Sequence, residues 1–327
     1  MPEGVLVIGE IEDGALVGIT QEMLGAARRI ADAQGGLVNL ALFGSGAEAL
    51  AQEGIAGGAD LVYTEENTAF DEYLTDTWMQ AVQTAVDFAD PAVILMGQTS
   101  AGRDLAPRLA VRLNTAVCMD AIEFEVKDGQ IHWTRPCYGG NARQVLTIQT
   151  TPQIATIRAK SQDPLEPDAS RTGDTIPLGV EIDQSQVKEK LVGREKVEAE
   201  GIRIEDADVV VSGGRGLGGP EGFETVEQLA TVLGGAVGAS RAACDLGWYP
   251  PSQQVGLTGK TVSPDLYIAV AISGASQHMA GMAGSKNVIA INKDPDSNMV
   301  KSARWAIIGD FKQVVPALAN EIKKLKS

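Results

Sequence analysis

The sequence predicts an α/β chain of two units, each a parallel-type sheet with helices on both faces. Three observations predict it. Apolar runs of strand length alternate with Ala-rich helical stretches, a glycine-dense turn follows one such run in the second half, and 327 residues exceed what one hydrophobic core usually serves.

In the first half, Val5–Ile8 is an apolar run closed by Gly9, followed by a helical pattern at 21–33. Apolar runs recur at 37–43, 61–63 and 92–96, separated by helical stretches at 47–52 and 71–88. Strand after helix after strand implies a parallel sheet covered on both faces. Residues 96–104 (MGQTSAGRD) lead from a strand into a helix at 105–113, and their small and hydroxyl side chains suit a tight turn. Such a turn holds an anion on free backbone N–H groups or is simply a capped helix start; both readings are open here. Shorter β-like runs at 122–126, 131–134, 144–149 and 153–157 predict an antiparallel addition.

The second half repeats the alternation at higher glycine density. Strands are expected at 207–211, 236–239, 266–272, 288–291 and 305–308, a helix at 222–233, and a closing helix at 312–324 with lysines in its last turns. Gly214, Gly216 and Gly219 have GxGxxG spacing between a strand and a helix, the context of a doubly wound, Rossmann-like dinucleotide fold. Between the halves, residues 183–208 are polar and charge-dense and read as a surface helix or strand plus linker. We place the boundary near Val197, giving domains 1–196 and 197–327.

Charge and cysteine usage exclude several functions. The net charge is −16, which repels nucleic acid and anionic membranes. Of 43 acidic and 27 basic residues, only 12 and 11 lie in the last 123 positions, so the first 204 carry net −15. Cys118, Cys137 and Cys244 are widely spaced without a CxxC pair, which argues against a disulfide framework or zinc site and for a reducing cytoplasm. No apolar run reaches the roughly 20 residues of a membrane span, and the first ten residues lack a basic leader, so neither membrane insertion nor secretion is expected.

The chemistry gathers at strand ends. A nicotinamide fold would place an acid about 20 residues beyond the glycines, whereas this chain has Ser240-Arg241, which demotes ordinary NAD binding. Arg241 reads as a phosphate or ring contact, or as a salt bridge. The loop at 273–278 (SGASQH) follows a strand directly and ends in one of only two histidines; His278 reads as a ligand contact or as a structural histidine. The loop at 253–260 (QQVGLTGK), Asn292 and Asp310 stand at further turns or strand ends, and so many polar edges favour one shared cleft. No GxSxG elbow, P-loop, HExxH or paired-carboxylate motif stands out, which favours chemistry carried by a cofactor.

These strings resemble the alpha subunit of the electron transfer flavoproteins. The resemblance runs through VVVSGGRG at 209–216, GASRA at 238–242, QVGLTGKTV at 254–262, YIAVAISGASQHMAGM at 267–282 and IAINKDP at 289–295. TSAGRDLAPRL at 99–109 and TRPCYGGNA at 134–142 extend it over nearly the whole chain. It implies FAD in the C-terminal domain and a heterodimer with a beta subunit. Carried over by position, it implies a site of Arg215, Ser240, Arg241, Gln254, Val255, Gly256, Leu257, Thr258, Ser273, Gly274, Ala275, Ser276, Gln277, His278, Asn292, Asp310 and Phe311.

Three of these would tune the flavin: Arg241 over the ring, the Thr258 hydroxyl at N5, and the His278 imidazole at the O2 side, taking up a proton as the ring gains charge between about pH 6 and 9. Leu257 stands where many relatives carry glutamine, and Ser276 where a larger aliphatic residue is common. The resemblance further implies electrons from acyl-CoA dehydrogenase type donors, as in fatty acid β-oxidation, passed singly to a quinone or ferredoxin-linked acceptor. A bifurcating form, using NADH and a second FAD in the beta subunit, is the family alternative. Outside the family, the alternative is a self-sufficient nucleotide-dependent oxidoreductase. The net −15 of the first 204 residues and the N-terminal domain's lack of a glycine fingerprint predict a scaffold and beta-subunit platform.

Overall fold

Strands buried on both faces need apolar side chains at every position, which is why the sheet strands read as continuous runs. The computed structural model describes residues 2–140, 142–193 and 202–326. They form two units, Met1–Cys137 with Arg143–Arg194, and Tyr138–Ala142 with Glu195–Ser327; the expected boundary at Val197 lies outside the described residues.

The first unit contains β1 (Val5–Ile8), β2 (Val38–Phe43), β3 (Leu61–Glu65), β4 (Val93–Gly97), β5 (Val117–Ala121), β6 (Glu123–Lys127), β7 (Gln130–Cys137), β8 (Ala142–Leu146), β9 (Gln153–Ile157) and β10 (Asp174–Pro177). Seven of them form a parallel sheet in the order β10-β3-β2-β1-β4-β9-β5. Val5 and Val7 face α1 (Gly18–Gln34) and α2 (Ala51–Ala56), while Leu6 and Ile8 face α3 (Thr75–Ala89) and α4 (Ser100–Arg112). That alternation is the period of two expected of a strand between two helical layers.

Three expectations are corrected. Residues 153–157 are no part of an antiparallel addition: β9 sits inside the main sheet, parallel to β4 and β5. The separate sheet contains β6, β7 and β8 only. Residues 47–50 are turn, so the short helix begins at Ala51, and the described parts of the linker, 183–193 and 202–208, contain neither helix nor strand.

The second unit contains β11 (Val209–Gly213), α5 (Gly222–Leu233), β12 (Ala236–Ser240), α6 (Arg241–Asp245), β13 (Gln254–Val255), β14 (Leu266–Val270), α7 (Ser276–Met282), β15 (Asn287–Asn292), α8 (Asn298–Ser302), β16 (Trp305–Ile308) and α9 (Phe311–Lys326). All pairs are parallel and the order is β13-β12-β11-β14-β15-β16. Numbered within the unit this is 3-2-1-4-5-6, a doubly wound order that reverses between β11 and β14. Val211, Ile268 and Ile291 pack with α5 and α9, whereas Val210, Tyr267 and Ala290 pack with Met282 of α7 and Met299 of α8. α5 ends where Gly234 enters the left-handed region at φ 71°, a turn most side chains resist.

Candidate functional site

In an open parallel sheet, chains leave strands at their carboxyl ends and part at the switch point, leaving a crevice there. The second unit has such a cavity of about 640 Å³, lined from the ends of β11, β12, β13, β14 and β15.

The turn after β11 is held against β14 by backbone alone. Gly214 N–H donates to Val270 O at 3.0 Å and Gly216 N–H to Ala271 O at 3.2 Å. A Cβ on Gly214 would stand 2.4 Å from the Ala271 carbonyl oxygen, and one on Gly216 would stand 2.8 Å from it. The first two fingerprint glycines are therefore required by the neighbouring strand. Ala271 itself has φ 56°, uncommon for a residue with a side chain, and lines the cavity. The fingerprint helix also departs from expectation. A 3-10 turn, Arg215–Leu217, intervenes, and α5 begins behind Glu221, none of whose first-turn residues lines the cavity. From this segment only Arg215 and Gly216 reach it.

β12 ends in Ser240, and Arg241 opens α6. The Ser240 hydroxyl is buried, caps nothing, and has no hydrogen-bond partner. Arg241 is 66% exposed, with its Nε 3.4 Å from Asp245 Oδ2, one turn along. Beyond β13, Gln254 Nε2 donates to the Thr258 hydroxyl at 3.1 Å, and Leu257 N–H donates to Gln277 O at 2.8 Å. Between them Gly256 has φ 151°, and a Cβ there would approach Gln277 O at 3.1 Å, so a bare backbone forms that wall.

The loop after β14 brings Ser273, Ala275, Gln277 and His278 to the cavity. His278 is buried, its Nε2 lies 2.9 Å from the Tyr267 hydroxyl, and its Nδ1 has no hydrogen bond of good geometry. Burial pushes its pKa down to about 4, against a smaller opposing influence of the Val255 backbone. In the ligand-free chain burial thus favours the neutral ring over that range, and the expected proton uptake belongs to the protein with a reduced flavin bound. Asn292 is held by donation to Ile272 O at 2.9 Å and accepts from Asp294 N–H at 3.1 Å.

Of the expected residues, Arg215, Ser240, Arg241, Gln254, Val255, Gly256, Leu257, Thr258, Ser273, Ala275, Gln277, His278 and Asn292 converge on this cavity. Four do not line it. Gly274 faces the Met299 backbone, which leaves no room for a Cβ, and the Ser276 hydroxyl donates to its neighbour Gln277. Asp310 accepts from Lys312 N–H and pairs with Lys293 at 3.0 Å, which holds its carboxyl below the usual range; Phe311 is buried in the core under α9. Sequence reasoning missed Ala242, Asp245, Ala271, Ile272, Asp294 and Ser297. Only Asp245 carried a signal, its i,i+4 spacing from Arg241.

A buried polar atom without a partner costs free energy until something satisfies it. The Ser240 hydroxyl at the cavity wall, the glycine-bare Gly256 segment and the two arginines fit an anionic ligand of dinucleotide type. In the first unit the corresponding turn is occupied by its own side chains. Thr99 accepts from Gly102 N–H and donates to the Glu10 carboxylate at 2.7 Å, and burial raises the pKa of Glu10. Of the two readings of residues 96–104, this is the capped helix start.

A doubly wound parallel sheet with a cavity across its switch point places the second unit, by fold, in the doubly wound α/β class. Comparison with known proteins narrows this. Residues 5–181 match the family model described as "Electron transfer flavoprotein domain", and residues 203–283 the one described as "Electron transfer flavoprotein FAD-binding domain". The chain is 42% identical over 324 residues to the electron transfer flavoprotein subunit alpha of Thermoanaerobacterium thermosaccharolyticum, covering 98% of each. It is 42% identical to that of Bacillus subtilis, covering 99% of each, and 43% identical to that of Megasphaera elsdenii, covering 99% of this chain and 97% of the relative. The chain belongs to the electron transfer flavoprotein alpha subunit family.

No helix among the described residues is long and apolar enough to cross a membrane.

Proposed function

We propose that the chain binds FAD in the cavity between β11 and β15 and works in the cytoplasm as the alpha subunit of a heterodimer with an electron transfer flavoprotein beta subunit. It takes electrons from an acyl-CoA dehydrogenase type donor and releases them singly to a quinone or ferredoxin-linked acceptor. The observation that carries this reading is the buried, unpartnered Ser240 hydroxyl at the wall of a cavity that two arginines share.

FAD, when bound, would supply the redox chemistry. The chain's own residues supply binding and field. Ser240 contributes a hydrogen bond that it lacks in the free chain. Arg215 and Arg241 favour the pyrophosphate and any negative charge gained on reduction, and Asp245 moderates the second of these. Thr258, held by Gln254, is a fixed hydroxyl on the loop beside Gly256, whose bare backbone admits a flat ring closely. His278, neutral and buried, serves as a hydrogen-bonding group without a charge of its own. The N-terminal unit, whose turn at Thr99 is closed by Glu10, acts as scaffold and beta-subunit platform.

The test is co-purification with the beta subunit, followed by exposure to an acyl-CoA dehydrogenase with its substrate. Bleaching of a bound FAD supports the reading, and an FAD that the dehydrogenase cannot reduce overturns the donor. Reduction by NADH, with a second FAD in the partner, would replace it by the bifurcating form.

A further inference from the structure

A dinucleotide fold usually carries an acid at the end of its second strand, where this chain has Ser240 and Arg241. Two carboxylates nevertheless line the cavity, Asp245 and Asp294. Asp245 is engaged by Arg241, whose Nε lies 3.4 Å away. Asp294, two residues beyond β15, has no such cation.

Asp294 is held by its own turn. Its N–H donates to Asn292 Oδ1 at 3.1 Å, and its Oδ1 accepts from Asp296 N–H at 2.9 Å. Its Oδ2 has no hydrogen bond or ion pair among the described residues. The nearby lysines are engaged elsewhere, Lys293 with Asp310 at 3.0 Å and Lys301 with Asp296 at 3.6 Å. A carboxylate oxygen accepts hydrogen bonds and cannot donate them, and it repels phosphate. The part of a ligand that meets Asp294 is therefore uncharged and carries donors.

Position identifies that part. The cavity crosses five strand ends in the order β13-β12-β11-β14-β15, from the loop at Gly256 to Asp294. Four strand intervals of about 4.8 Å separate its ends by about 19 Å. With the flavin ring at Gly256 and Thr258 and the pyrophosphate at the arginines, the adenosine end lies beyond β15. An unmodified ribose presents two neighbouring hydroxyls there, both able to donate.

We propose that Asp294 binds the ribose of the adenosine half: its Oδ2 accepts from the 2′- or 3′-hydroxyl, so the acid missing after β12 is supplied after β15 and the site selects an unmodified ribose. The placement of the adenosine end rests on the function proposed above, whereas the preference for the diol can be read without a flavin.

The ligand-free full-length chain is titrated by calorimetry with ADP, 2′-deoxy-ADP and 3′-deoxy-ADP. ADP should bind about tenfold more tightly than at least one deoxy analogue, the size of a hydrogen bond to a charged group. Asp294→Asn keeps the oxygen that Asp296 N–H needs but puts an amide NH2 in place of Oδ2. It should bind ADP about tenfold more weakly and that deoxy analogue equally well, which erases the preference; a damaged fold would weaken all three alike. If the chain binds FAD but not ADP, FAD carrying 2′- or 3′-deoxyadenosine, offered to the heterodimer, takes the place of the deoxy analogues and decides in the same way. Equal binding of all three nucleotides by the wild type overturns the proposal, and so does a preference that survives in Asp294→Asn. A wild type that binds neither ADP nor FAD overturns it as well. A preference erased by the substitution, in a protein whose heterodimer takes up no FAD, would defeat the flavin reading and leave the ribose contact standing.

Discussion

Replacing Arg241 by Ala should lower the potential of the bound flavin by about 40 mV. Arg241 opens α6 at the cavity wall, 66% exposed, with Asp245 Oδ2 3.4 Å from its Nε. Negative charge gained by a ligand in that cavity interacts with the guanidinium. At about 4 Å such a pair is worth about 1 kcal/mol in water and about 4 kcal/mol at an effective dielectric constant of about 20. Exposure and the opposing carboxylate both select the low end, about 1 kcal/mol. With about 1.4 kcal/mol and about 59 mV per tenfold in a one-electron step, that is about 40 mV. Arg241→Lys keeps the charge and should shift the potential by less than half as much, while Asp245→Asn removes the opposing charge and should shift it upward. A stepwise reductive titration of the heterodimer against reference dyes, followed by visible absorption, measures all three. An unchanged potential in Arg241→Ala refutes the claim that this charge faces the ligand, and equal shifts for Ala and Lys would assign the effect to packing.

Ser240→Ala should weaken FAD binding about three- to ten-fold while leaving the melting of the ligand-free chain within a degree or so, because the hydroxyl has no partner in the chain to lose; a lower melting temperature with unchanged affinity would contradict this. For His278 the folded pKa of about 4 lies below the ordinary value of about 6.5, so its contribution to stability is complete above about pH 6.5 and is lost as the pH falls toward 4. Urea unfolding should therefore lose on the order of 2 kcal/mol between pH 7 and pH 5 that His278→Asn does not lose, and identical pH slopes would show that the ring is not buried neutral. Gly102→Ala should lower the melting temperature by several degrees, since its Cβ would stand 2.0 Å from the Gly97 carbonyl oxygen and force α4 off β4, an overpacking worth about 1–3 kcal/mol or more; unchanged melting would mean that the turn has room.

The C-terminal strands were legible because burial on both faces leaves few polar positions in them: β11, β14 and β15 read directly as Val-, Ile- and Ala-rich runs. Both ends of α5 were legible too, since Gly222 and Gly234 punctuate a strong periodic pattern. Strand pairing was not. β9 looks like its antiparallel neighbours in composition, and only the crossover from β5 places it beside β4.

In the site, Ser240, Arg241 and His278 stood out as polar groups just beyond apolar runs. Phe311 was misplaced because its spacing to Val315 is helical and the core takes it. Gly214 and Gly216 had the right spacing for a reason the pattern does not contain, the approach of the Ala271 carbonyl. An alanine in the left-handed region leaves no mark in a sequence, and neither does the contact between Tyr267 and His278.

The most direct test of the account is the visible spectrum of the full-length chain purified with its beta subunit, followed by identification and counting of the nucleotide released on denaturation, for the wild type and for a Gly256→Val variant that fills the cavity wall. The account predicts a yellow wild-type complex releasing FAD, with at least one per alpha chain, and loss of one FAD per heterodimer in the variant while the two chains still assemble. A colourless wild-type complex, or a Gly256→Val complex that keeps its full FAD complement, would contradict the assignment of FAD to this cavity.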